Sequence, residues 1–193
     1  MSELRTNRIV PRDGLTSGTF NGGGIIQVKQ TVRTDVFSES LNAHTTGSNN
    51  AIEVAITPTR SDSKVLVLIS LHGSSSYWGG VCCGAWQGFL VRNGSIIVQG
   101  DAAGSRQRMT MRSGDSDSSN VEEPLNFNYL DSPSTTSAVT YGVRLHNSDN
   151  GSATLFLNRS DNDTDQVTTT TRTVSTITAC LLYTSPSPRD TEV

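Results

Sequence analysis

Three arginines, Arg106, Arg108 and Arg112, fall at even positions of one short stretch. If that stretch is a strand, its period of two sets all three on one face with Thr110 and puts Met109 and Met111 on the other. A stripe of guanidinium groups binds phosphates or acidic sugars through paired N–H donors. The commoner use of such a charge run is a solvated face, or an interface face paired here with Asp115, Asp117, Glu122 and Glu123. Tyr77 and Trp78 lie among Gly and Ser residues. There an aromatic face can cover the apolar side of a pyranose at little entropic cost, although anchoring a loop to the core is the ordinary use of the same rings. These five residues are the ligand-binding candidates of the chain.

Other chemistries find less support. Asp161-Asn162-Asp163-Thr164-Asp165 offers oxygen ligands at alternate positions, as a calcium loop does. Position six is Gln166 where the sharp turn needs Gly, and position twelve is Arg172 where a bidentate Glu is needed. His44, His72 and His146 show no metal or triad spacing, and Gly73-Ser74-Ser75-Ser76 lacks the closing Gly of a nucleophile elbow. Cys82 and Cys83 are adjacent; bridging them would need a strained ring, so they read as buried thiols. No catalytic set and no metal set emerges, no cofactor is expected, and the chain reads as non-enzymatic. The sequons at Asn93, Asn150, Asn158 and Asn162 read as turn chemistry.

The elements that would carry these residues are strands. Lys64 to His72 is the longest apolar run before the C-terminal stretch, apolar at odd and even positions alike, and predicts a mid-sheet strand buried on both faces. Ile52, Val54 and Ile56 alternate with Glu53, Ala55 and Thr57 up to Pro58, a half-buried strand with a clear stop. Asn93-Gly94 between two apolar runs suits the positive φ angles of a type I′ turn and predicts pairing of Val91 with Ile96. Further strands are expected at 25–32, 106–112, 125–130, 139–146, 153–158 and 174–179. Gly73 to Gly80 is expected to be loop, and Asn147 to Gly151 to close a second hairpin. No helical apolar period is found. Short strands at this spacing predict an all-β, two-sheet, jelly-roll-like β-sandwich over residues 24–179, with Val65, Val67, Ile69, Val143, Leu145, Leu155 and Ile177 in its core. Residues 1–23, rich in Gly and poor in apolar side chains, are expected to form an extended leader.

Composition narrows the partners. The net charge is -3, and lysine occurs only at Lys29 and Lys64. A general nucleic-acid binder needs a basic excess to displace counterions, so nucleic acid is not an expected partner. No apolar stretch suggests a signal peptide or membrane insertion.

Arg5 to Gly14, Gly23 to Val28, Tyr129 to Thr136, Asn158-Arg159-Ser160 and Ser175 to Thr178 resemble a family of short virion or tail-fibre-like proteins of marine bacteriophages and viral metagenomes. That resemblance implies a virion location and a structural role as a tail fibre or appendage head. The strand rhythm is also similar to that of the trimeric jelly rolls of tumour-necrosis-factor-like and phage fibre-tip proteins, which implies a homotrimer; on that reading the leader attaches to other virion proteins, and the arginine and aromatic candidates would meet a host-surface glycan. The alternative from another class is a free carbohydrate-binding β-sandwich module. Cys180 to Asp190 resembles translated sequencing adapter, which implies that residues 180–193 are a foreign tail, mostly coil, in place of a native ending.

Overall fold

The structure is a computed structural model and describes residues 24–76, 85–114, 119–167 and 170–183. It contains β1 (Gly24–Arg33), β2 (Phe37–Leu41), β3 (Ile52–Ile56), β4 (Lys64–Ser75), β5 (Gln87–Arg92), β6 (Ser95–Ile96), β7 (Met111–Arg112), β8 (Glu123–Asp131), β9 (Val139–His146), β10 (Ala153–Leu157) and β11 (Ser175–Tyr183). Two antiparallel sheets form a sandwich, as the strand rhythm predicts. The first has the order β1-β11-β4-β10-β2, with β8 on the opposite side of β4; the second has the order β3-β9-β5-β6, with β7 also against β5. The chain crosses repeatedly between sheets, which is what makes the sandwich jelly-roll-like.

The core follows from the period of two. Val65, Val67, Ile69 and Leu71 of β4 point inward with Ile177, Ala179 and Leu181 of β11 and Leu155 and Leu157 of β10. They meet Ile52, Val54 and Ile56 of β3, Leu90 of β5, and Tyr141, Val143 and Leu145 of β9. Every residue expected in the core is there. The Asn93-Gly94 turn is also as expected: both residues have positive φ, and Val91 pairs with Ile96.

Four expectations need correction. β4 is central, but only one of its faces is sealed; Leu66 and Leu68 on the other face remain partly exposed, because among the described residues no layer covers that side of the sheet. The strand also continues through Gly73, Ser74 and Ser75, where a loop was expected, since β10 pairs with those residues just beyond the end of β11. Of the stretch 106–112, only Met111–Arg112 is strand. Residues 147–151 do not close a hairpin, because β9 belongs to one sheet and β10 to the other. Asn147 fixes that crossing: it is buried, and its Nδ2 donates to the carbonyls of Leu41, Asn42 and Gly151 at 3.1, 3.1 and 2.8 Å.

The long margin of the first sheet is a single stretch of chain, β1 followed by β2, with a bend at 34–36. Asn158 holds that bend. It is fully buried with a φ of 65°, its Nδ2 donates to Arg33 O (2.8 Å) and Asp35 O (2.9 Å), and its Oδ1 accepts from Ser175 Oγ at 2.6 Å. β11 continues past residue 179 to Tyr183, with Leu181 fully buried. The expected leader, 1–23, and residues 184–193 lie outside the described residues.

Candidate interaction surface

The arginine stripe does not form. Arg106 and Arg108 stand on an exposed loop, where Arg106 Nη1 donates to Ala103 O at 3.3 Å and Arg108 Nε to Gly100 O at 2.6 Å. Both guanidinium groups thus brace their own loop, and Arg112 alone of the three is on a strand. What 106–112 does contribute is Met111, buried in the core, and Thr110, whose hydroxyl ties Leu90 N to the loop. Tyr77, Trp78, Cys82 and Cys83 lie outside the described residues.

The acidic loop after β10 is clamped by arginine. Asp163 accepts from Arg159 Nη1 at 3.0 Å and also from Arg172, and Arg159 packs over the Phe156 ring at 4.1 Å. Asp163 thus receives one guanidinium on each of its two oxygens and serves as the tie of this loop. Among the described residues, no three His, Cys, Asp or Glu side chains converge as metal ligands. Ser74 Oγ donates to Arg159 O at 2.9 Å, a structural tie. Of the sequon asparagines, Asn93 forms the turn and Asn158 is a buried clamp.

Two polar assemblies between or behind the sheets were not legible in the sequence. In the first, Asp131 of β8 accepts from Arg92 Nη1 of β5 at 2.7 Å and from the Tyr141 hydroxyl of β9 at 2.6 Å, so one carboxylate oxygen joins the two sheets. Asp131 and Tyr141 are buried. Burial first, and the bond to Asp131 second, hold the Tyr141 phenol far above its ordinary range, while the Asp131 partner raises Arg92. In the second, His146 is buried, shares a hydrogen bond with Thr46 Oγ1 at 2.8 Å, and meets Phe89 edge-on at 5.4 Å. Burial, and then the nearby His44, lower its pKa. The ring of His44 is itself held by Asn150 Oδ1 at 3.0 Å and Gln107 Nε2 at 2.7 Å.

The feature with the character of an interaction site is the outer face of the first sheet, toward its β1 edge. Cross-strand register aligns Val28, Cys180, Leu66 and Leu130 in one row across four strands, with Ile25 beside Leu182 in a neighbouring row. Ile25 is 59% exposed, Val28 and Leu130 54%, Val32 52% and Leu68 36%. Aliphatic side chains scattered singly over a surface are unremarkable; gathered on one sheet face, they mark a contact region. Between them stand neutral polar groups, among them Gln30, whose Nε2 donates to Thr178 Oγ1 at 2.9 Å.

The class defined by this fold is a two-sheet antiparallel β-sandwich with one aliphatic outer face. No protein-family model matches the sequence, and no curated protein matches it. Among solved structures the chain is similar to infectious bursal disease virus, Gx strain (TM-score 0.40, 9% identity), over 96% of this chain and 48% of that one. It is likewise similar to the infectious bursal disease virus VP2 subviral particle (TM-score 0.39, 12% identity), over 97% of this chain and 47% of that one. The chain thus spans about half the length of each, and superposition at this level carries no argument about function.

Proposed function

We propose that this chain is a non-enzymatic structural protein of a virion, the head of a tail fibre or similar appendage, which assembles as a homotrimer and contacts the host surface. The observation that carries this reading is the aliphatic outer face of the first sheet: among the described residues nothing covers Ile25, Val28, Val32 and Leu130, and assembly would take them out of water. The sequence resemblance to virion and tail-fibre-like proteins points the same way. On this reading residues 1–23 attach the head to other virion proteins, and a surface glycan is the contacted molecule.

Two measurements test it. Light scattering of the full chain at micromolar concentration is expected to give three times the protomer mass, and peptides from residues 24–183 are expected in gradient-purified particles from cultures carrying the gene. A monomer that is absent from particles and retained on a glycan column would establish the carbohydrate-binding alternative instead.

A further inference from the structure

The chain contains three Asn-Gly pairs, Asn21-Gly22, Asn93-Gly94 and Asn150-Gly151, of which the first lies outside the described residues. Asparagine is a thermolabile residue, and a following glycine leaves its backbone nitrogen unshielded by a β-carbon, free to approach the side-chain carbonyl carbon. Whether it does so depends on how the asparagine is held. Asn93 and Asn150 are both exposed, yet their amides have different partners. Asn93 is drawn across to β9: its N donates to Thr140 O at 2.8 Å, and its Oδ1 accepts from Thr140 N at 2.9 Å. Turning that amide back toward Gly94 would break a bond that prolongs the β5–β9 ladder. Asn150 stands instead in the crossing between the sheets, where its Oδ1 meets His44 Nε2 at 3.0 Å. Gln107 Nε2 lies 2.7 Å from His44 Nδ1 and donates to it, which leaves the ring proton on Nε2, aimed at the Asn150 oxygen. Asn147 fixes the backbone on both sides, accepting from Asp149 N at 3.0 Å and donating to Gly151 O at 2.8 Å. Among the described residues the Gly151 N–H donates to no acceptor.

We propose that Asn150 is a self-modification site, deamidated by attack of Gly151 N with His44 polarising the amide. This is independent of the reading above and holds whatever the chain assembles into. The Gly151 N–Cγ bond forms as the Cγ–Nδ2 bond breaks, and the Gly151 amide proton leaves with the amine as ammonia. Water then opens the cyclic imide to aspartate or isoaspartate. Negative charge develops on Oδ1 during the attack, and the His44 N–H already points at that atom, so the bond strengthens as the reaction proceeds. The donor to Asn93 is a backbone N–H fixed in a sheet, which cannot follow its oxygen as the amide turns. His44 is a side chain on an exposed loop and can. The product sets a carboxylate against His44 where a neutral amide stood, converting the contact to a charge-assisted one. A single covalent event thereby alters the tie among the 42–46, 100–110 and 147–151 connections, which His44, Gln107 and Asn150 hold together.

The test incubates the full chain in mildly alkaline buffer and follows each Asn-Gly pair by peptide mapping, with fragment spectra assigning the site. Asn150 is expected to show the amide-to-acid mass change severalfold faster than Asn93, with isoaspartate among its products. His44→Phe is expected to slow conversion at Asn150 roughly fivefold, the barrier equivalent of one ordinary hydrogen bond, and to leave Asn93 unchanged. Loosening of the loop by that substitution would act in the opposite direction, since a freer Asn-Gly pair converts faster. Urea midpoints of the parent and the variant, with the rate at Asn93 as an internal reference, show that the fold is retained. Conversion at Asn150 no faster than at Asn93, or a rate at Asn150 that His44→Phe leaves unchanged or raises, overturns the proposal.

Discussion

Replacing Asp131 with alanine removes a carboxylate that hydrogen-bonds across the two sheets. Two separable costs follow. The Tyr141 hydroxyl, fully buried on β9, loses its acceptor, which costs about 1–3 kcal/mol. Arg92 loses its ion partner but keeps 30% side-chain exposure, so solvent takes over much of the interaction and the cost there is about 0.5–1 kcal/mol. Together the substitution should destabilise by about 1.5–4 kcal/mol, and by more than Tyr141→Phe, which removes the stranded hydroxyl along with the bond and should cost about 1 kcal/mol. In the double variant the hydroxyl is no longer stranded, so the two effects should fall short of additivity by about 1–2 kcal/mol. Urea unfolding followed through Trp86, buried and hydrogen-bonded to Glu123 O at 3.0 Å, reads each free energy. A loss below about 0.5 kcal/mol for Asp131→Ala, within the range of a surface change, would refute the view that this carboxylate ties the sheets.

Asn158→Gly keeps the positive φ but deletes three buried side-chain hydrogen bonds, and should lower stability by about 2–4 kcal/mol in the same assay. Because His146 has a lowered folded-state pKa, the unfolded chain takes up its proton first, at about pH 6.5. Stability should therefore fall as pH drops through that value toward the folded pKa, and the slope should shrink in His146→Asn; urea midpoints at pH 7.5 and 5.5 check this. Deleting residues 184–193 should change stability by less than about 1 kcal/mol. Ending the chain at Ala179 removes buried Leu181 and should cost at least the ~2–5 kcal/mol of a large core truncation.

The sandwich was legible because burial on one face writes itself into the sequence with a period of two: β3 reads apolar at Ile52, Val54 and Ile56, and β9 at Tyr141, Val143 and Leu145. The error on β4 came from the same signal. Leu66 and Leu68 are as apolar as Val65 and Val67, and composition alone does not say whether a second layer covers them. Nor could the sequence show that β9 and β10 lie in different sheets, since a short polar connection serves a hairpin and a crossing equally well. The arginine stripe failed because alternation over 106–112 requires a strand there, and the chain instead turns at 103–106, where Arg106 N bonds Ala103 O, and becomes strand only at Met111–Arg112. The Asp131 and Asn158 assemblies left no local signal, since each joins residues far apart in the chain. The exposed face was half visible: Ile25, Val28 and Val32 could be read as strand residues, but that they share a face with Leu130 depends on β11 and β4 lying between them.

The position of β11 bears on how this protein is made. β11 is inserted between β1 and β4, with its inward residues fully buried. During synthesis β1 and β4 both emerge long before the strand that separates them, so the nascent chain carries two complementary unpaired margins and no native means of satisfying either. Direct pairing of β1 with β4 is the misassembly such a chain invites, and release of residues 175–183 is the event that removes it. Folding should therefore be completed only after β11 is free, and a nascent chain stalled before residue 175 should depend on chaperones to stay soluble.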